Sequence, residues 1–312
     1  MAWITVDDFH YPTGWMRDVN GEERAHWYCQ QLEQGALLFF GDTPFELPQG
    51  HQEFLLSWHQ GGSRYHKNVS YRPQKDRVRG FSAGAPGDLG RLRAIMREYS
   101  SHVTQFLACF LLPYAAHWSL DYASFRPFEE EGRNLPLHQR NDLLHVDAFP
   151  SRPTQGGRIL RVFTNIHPSR ARVWHITDRF DVLAEQLACD VGLDRFAAQE
   201  SSVPERFLRR ALRLLHAVGL PVVDRSAYDK FMLRFHDYLK ENARFQQRCM
   251  KTRLEFPPRS TWIVFTDGVP HAALSGQFAL EQTYIVPLHG LRSPHNAPIR
   301  VLEALCGKPL AM

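Results

Sequence analysis

The sequence predicts an α+β fold: one β-sandwich or barrel core with its helices packed outside. Three observations predict it. At about residue 122 helical spacing gives way to strand-like runs separated by Pro and Gly, as in "PSRPTQGG" and "HPSR". The strands stop near residue 178 and resume near 255. Between them lie about 75 residues of helical spacing, which read as an insert. The 312 residues, 44 % hydrophobic and 22 % charged, are enough to bury a sizeable core.

Taken in order, "EERAHWYCQQLEQGALLFF" (22–40) reads as a helix stopped at Gly35 and then a strand. Residues 50–62 read as a helix that breaks at "QGGS", and 64–81 as a basic, aromatic loop. Residues 88–118 carry apolar side chains at helical spacing until Pro113. The next segments, "YASFRPF", "DLLHVDAF", "RILRVFTNIH" and "ARVWHIT", read as strands. Helices are expected over 179–190, 204–218 and 225–253, and strands over "STWIVFTD", "HAALSG" and "FALEQTYIVPLHG". The expected organisation is a single domain over 1–312. Its parts are a mainly helical 1–121, a β core at 122–178 and 255–290, and a helical insert at 179–254.

Several classes are excluded. The five cysteines are scattered, with no C-x-x-C pair, so a disulfide framework or zinc knuckle is not expected and a reducing, cytoplasmic setting is. The N-terminus lacks a secretory pattern, and no run of eighteen apolar residues is present. A net charge of +4 fits an anionic small molecule or surface and does not imply nucleic acid.

The chemistry centres on "LLHVDAF". In an extended chain residues i and i+2 share a face, so His145 and Asp147 project together. An imidazole and a carboxylate on one face make two-thirds of a facial triad for Fe(II). With sixteen histidines, about one H-x-D pair is expected by chance. The setting carries more weight than the spacing: burying both groups unpartnered is costly, and a metal satisfies both. For the third ligand, His167, His175, His216, His236, His271, His289 and His295 are available. His271 has the best setting, opening a strand after the D-G turn in "TWIVFTDGVPHAALSG".

Such an iron uses an electron-rich co-substrate whose carboxylate needs a basic anchor. In "GGRILRVFTNIHP", Arg161 interrupts an apolar strand, with Asn165 on the same face. Arg161 is therefore a candidate clamp, the alternative being an ion pair at a sheet edge. Arg292, after the last strand, is second choice.

These residues resemble the Fe(II)/2-oxoglutarate-dependent oxygenases. More narrowly, "LEQGALLFF", "FLLSWHQGGSRYHKNVSYRP", "NDLLHVDAFPSRPTQGGRILRVFTNIHP" and "VPHAALSGQFALEQTYIVP" resemble the Kdo 3-hydroxylases of Gram-negative bacteria. The resemblance implies a double-stranded β-helix (jelly-roll, cupin-like) core and an iron held by His145, Asp147 and His271. It also implies 2-oxoglutarate as co-substrate and hydroxylation at C3 of Kdo, a sugar acid attached to lipid A, to give Ko with release of succinate and carbon dioxide. Many oxygenases of this kind place the co-substrate's basic residue on the last strand, but "FALEQTYIVP" has none. In the JmjC-like branch it follows H-x-D closely, as Arg161 does here.

For an anionic sugar, His66, Lys67 and Asn68 are the candidate contacts, the alternative being a solvated basic loop. The helix "PERFLRRALRLLHAVGLP" carries Arg206, Arg209, Arg210 and Arg213 beside an apolar stripe. It would suit peripheral contact with the inner membrane, or packing on the core as an ordinary outer helix. Competing functions are a JmjC-like oxygenase acting on an amino acid or protein side chain, a non-catalytic cupin-like sugar-binding module, and a zinc hydrolase.

Overall fold

The structure, a computed structural model, describes residues 2–11, 20–58, 68–80, 86–200, 202, 214 and 223–310. Its strands are β1 (Trp3–Thr5), β2 (Leu37–Phe40), β3 (Val69–Arg72), β4 (Arg77–Arg79), β5 (Ser119–Arg126), β6 (Arg158–Asn165), β7 (Arg172–Ile176), β8 (Thr252–Phe256), β9 (Thr261–Phe265), β10 (His271–Ser275) and β11 (Ala279–Val286). They form an eight-stranded sheet, ordered β1-β2-β9-β6-β11-β5-β3-β4, and a three-stranded sheet, ordered β10-β7-β8. From β6 onward the chain crosses between the sheets four times, at β6–β7, β8–β9, β9–β10 and β10–β11, and the two sheets face one another as a jelly roll.

Alternation along β6 builds both layers of the interior. Leu160 and Val162 face one core cluster, together with Ile263, Phe265, Leu280 and Tyr284. Phe163, on the other face, joins Trp174, Phe256, Trp262 and Val264 between the sheets. The first cluster packs against α1 (Gly21–Glu33) and α3 (Pro86–Phe110), whose Leu92, Ile95, Met96, Tyr99, Val103, Phe106 and Phe110 repeat at helical spacing. Before α3 lies the short α2 (Gln49–Leu56). α3 stops at Phe110, and α4 (Leu112–Ala115) restarts with Pro113 in its first turn. The proline has no N–H to continue the ladder and is tolerated only at a helix start.

After β7 come α5 (Phe180–Val191) and α6 (Leu193–Glu200), then α7 (Ala227–Glu241) and α8 (Ala243–Arg248), before the chain re-enters the sheet at β8. Ser226 opens α7 with a capping box to Asp229. After β11 the chain closes with α9 (Pro298–Cys306). The proposed basic helix at 204–218 lies outside the described residues, apart from a helical, exposed Leu214. Among the described residues no helix is long and apolar enough to cross a membrane.

Two local readings are corrected. "DLLHVDAF" is not a regular strand: it is an irregular extended segment touching the small sheet through a single bridge, His145 to His271. The "loop" at 64–81 contains a hairpin, β3–β4, that pairs with β5 and extends the large sheet. Its alternation, as in Val69 and Tyr71, is masked by the arginines at Arg72, Arg77 and Arg79.

Candidate metal centre

The bridge between His145 and His271 creates the centre. The two residues exchange backbone bonds, His145 N to His271 O (3.1 Å) and His271 N to His145 O (2.9 Å). Directly opposed residues carry their side chains on one face. Asp147, two residues beyond His145, joins them while its N–H is held by Thr266 O at 2.9 Å. The three buried side chains bring one ligand atom each to within 4.8 Å of one another.

The protonation of the site suits a cation. Burial pushes both imidazoles below their usual pKa, and for His145 the neighbouring His271 adds to the effect, so both are neutral at neutral pH. Each ring spends Nδ1 on the carbonyl two residues upstream: His145 on Leu143 O (2.8 Å) and His271 on Val269 O (2.9 Å). That fixes the tautomer and leaves each Nε2 lone pair for a metal. Burial pushes Asp147 up, but Arg161 and the two histidines outweigh it and hold the carboxyl well below the usual range. Its Oδ2 is buried without a hydrogen bond. Two neutral imidazoles and one under-satisfied carboxylate fit a divalent ion.

A cavity of about 480 Å³ opens onto the three residues. The large sheet lines it with Arg126, Arg161 and Phe163, and the small sheet with Arg172 and Trp174. Trp174 stacks on His271 with ring centroids 4.9 Å apart, holding the imidazole from behind. Glu281 of β11 ties two arginines together. Its strand partners are Phe163 and Ser124, so it is diagonal to both Arg161 and Arg126. It lies 3.2 Å from Arg161 Nη1 and accepts from Arg126 Nε at 3.0 Å. Glu130 pairs with Arg172 at 3.2 Å. Gly276 lets the chain pass tightly over Arg172: its φ is +123°, and an added Cβ would sit 2.7 Å from Arg172 Cγ.

Burial pushes Glu281 and Glu130 up, but the arginines outweigh it and hold both below the usual range. Groups with depressed pKa stabilise the fold above their unfolded value, and that stability is lost as pH falls. The metal-free protein is therefore expected to lose thermal stability as pH drops below about 4.3, the ordinary glutamate value. A melting temperature that stays flat from pH 6 down to pH 3 would contradict this.

Of the other predicted site residues, Arg161 reaches the centre, with Nε 3.2 Å from Asp147 Oδ2 but not aligned as a hydrogen bond. Asn68 lines the cavity, whereas His66 and Lys67 lie outside the described residues. Asn165 is a correction. Its amide donates to Arg170 O, Phe256 O and Pro257 O, and its Oδ1 accepts from His167 N. It shares the Arg161 face but sits at the strand end, roughly 13 Å away along the chain, and there it ties loops together. Arg292, the second choice, does not line the cavity; its backbone N–H is held by Glu33.

Sequence reasoning missed Arg126, Arg172 and Lys240, and weighed His236 only as a metal ligand, passing it over for His271. His236 and Lys240 project from α7 into the cavity. The His236 ring lies 5.1 Å from that of His145, and its Nδ1 meets Val146 O at 2.7 Å. Burial lowers Lys240 to about 8. Their four-residue spacing on one helix was readable, but not which way the insert folds.

Fold and donor set together define a class: double-stranded β-helix proteins that hold a metal by two histidines and one carboxylate at the mouth of the roll. Comparison with known proteins narrows it. The sequence profile of the 3-deoxy-D-manno-oct-2-ulosonic acid (Kdo) hydroxylases matches residues 15–309, and the chain belongs to that family. It is similar in structure to the Kdo hydroxylase KdoO, described as a non-heme Fe(II) alphaketoglutarate dependent dioxygenase. Against KdoO with alphaketoglutarate and Fe(III) the TM-score is 0.80 at 32 % identity, covering 99 % of this chain and 97 % of the other. Against apo KdoO it is 0.81 at 33 % identity, covering 100 % and 98 %. KdoO with cobalt(II) gives 0.81 at 32 % identity, covering 100 % and 98 %. No match is found among curated proteins.

Proposed function

We propose that this protein is an Fe(II)/2-oxoglutarate-dependent dioxygenase that hydroxylates Kdo at C3 in Kdo-lipid A to give Ko. The observation that carries the reading is the convergence of His145, Asp147 and His271 in a chain of the Kdo hydroxylase family. Those three residues would hold the iron. Bound there, the iron supplies oxygen activation coupled to oxidative decarboxylation of 2-oxoglutarate, the chemistry no side chain can perform.

The chain's own residues bind and orient. Arg161 is the clamp for a 2-oxoglutarate carboxylate, with Arg126 and Arg172 extending a positive wall along the sheets. Phe163 and Trp174 give that wall an apolar floor and keep water from the reacting face. Asn68 offers an amide to the sugar at the opening. The acceptor is met at the cytoplasmic face of the inner membrane, where its lipid resides.

Mass spectrometry of a Kdo-lipid A acceptor, incubated with protein, Fe(II), 2-oxoglutarate and oxygen, tests the reading. The expected product carries one added oxygen on Kdo, with succinate formed in step. Unchanged acceptor beside steady succinate formation would point to a different substrate. Arg161→Met is expected to raise the KM for 2-oxoglutarate by roughly tenfold to a hundredfold, the worth of a charge-assisted contact. An unchanged value would move the clamp to Arg126 or Arg172.

A further inference from the structure

The cavity holds a surplus cation that the co-substrate clamp does not use. Of the charged side chains lining it, Arg126, Arg161, Arg172 and Lys240 are basic and Asp147 is acidic. The three arginines already face carboxylates: Glu281, Glu130 and Asp147 lie behind or beside them. Lys240 stands apart on the helical wall. It is 4 % exposed, yet among the described residues its Nζ meets only the His138 carbonyl, at 2.9 Å, and no carboxylate lies within ion-pair distance. A buried ammonium with one neutral partner is costly unless an anion completes it.

We propose that Lys240 anchors the carboxylate of the sugar acid and so presents the C3 methylene to the metal. The proposal rests on the Kdo reading above and deepens it. In a 3-deoxy-oct-2-ulosonic acid the carboxylate is C1, and the CH2 to be hydroxylated is C3, two bonds away. The anion's anchor must therefore lie close to the metal, not out at the rim. Lys240 meets that requirement. It is one helical turn, about 6 Å, beyond His236, whose ring contacts the metal ligand His145. A neutral sugar would leave this cation unanswered, so the same residue selects for an acid.

The wall that holds Lys240 is itself braced. Its amine fixes the short helical turn at Leu137–Gln139 through the His138 carbonyl, and the His138 ring meets Glu241 at 2.7 Å. The helical insert thus delivers the substrate anchor, while the two sheets deliver the metal ligands and the co-substrate clamp.

Steady-state kinetics on Lys240→Gln test this, since glutamine keeps a donor for His138 O and loses the charge. The expected result is a KM for a Kdo glycoside raised roughly tenfold to a hundredfold. The KM for 2-oxoglutarate stays unchanged, and more succinate forms per product. A raised 2-oxoglutarate KM with an unchanged acceptor KM would overturn the proposal. A second measurement needs no variant: the wild-type protein should use the C1 carboxamide of the same glycoside at least ~10-fold less well than the acid. Equal use of acid and amide overturns the role of Lys240 while leaving the hydroxylase reading intact. No added oxygen on either glycoside defeats that reading and this proposal with it.

Discussion

His271→Ala is expected to abolish acceptor hydroxylation, by ~10³-fold or more, because removing one ligand forfeits several kcal/mol of metal-based activation. The fold should survive. The backbone bonds between residues 145 and 271 do not involve the side chain, and a buried imidazole beside Trp174 leaves only a small cavity. The variant should therefore melt within a few degrees of the metal-free wild type while failing to retain iron. His236→Ala is the matched control. Its ring lies as near to His145 as the His271 ring does, at 5.1 Å against 4.8 Å, but its Nδ1 is turned to Val146 O and it is not one of the three converging ligands. It should keep its iron. If His236→Ala lost the metal and His271→Ala did not, the ligand assignment would be wrong.

The second large effect concerns a residue far from the reacting atoms. Arg158 and Asp267 form an ion pair at 2.8 Å, each 1 % exposed. The pair pins the turn that ends β9 and delivers His271: Thr266 N meets Ile159 O, and an added Cβ on Gly268 would collide with the Arg158 guanidinium. Arg158→Met leaves a buried carboxylate alone and should cost about 3–5 kcal/mol of stability, read from the denaturation midpoint. Burial already pushes Asp267 up against the pull of Arg158, so without the arginine it will hold its proton further. A group with a raised folded pKa contributes stability that is lost as pH rises. The deficit should accordingly be larger at pH 8 than at pH 5. Arg158→Met/Asp267→Asn should recover most of it. A single variant as stable as wild type at pH 8 would show that the turn does not need the pair.

The D-G turn before His271 was legible in the sequence, because Asp and Gly at a strand end mark a turn locally. What holds the turn was not, since Arg158 lies 109 residues away. The same division runs through the site. His145 and Asp147 were readable from period-two geometry, although the segment is only extended and bridged at one point rather than a strand. Arg161 was readable as a charge interrupting an apolar run. Arg126 ends its strand, and Arg172 begins one, each beside loops where an arginine is unremarkable. Only the pairing of β5, β11 and β6 brings Arg126 beside Arg161, and only the small sheet facing them brings Arg172 of β7 to the same cavity. Asn165 misled because a shared face says nothing of distance along it: an amide at the strand end met loop carbonyls instead of the cavity. His236 and Lys240 needed the tertiary placement of the insert, which helical spacing alone does not give.

The most direct test of the account is anomalous scattering at the iron edge from crystals grown with Fe(II) under anaerobic conditions. The account predicts one iron per chain, bonded at about 2.0–2.2 Å to His145 Nε2, an Asp147 oxygen and His271 Nε2. An iron bound elsewhere, or bound at this place with His271 turned away, would contradict it.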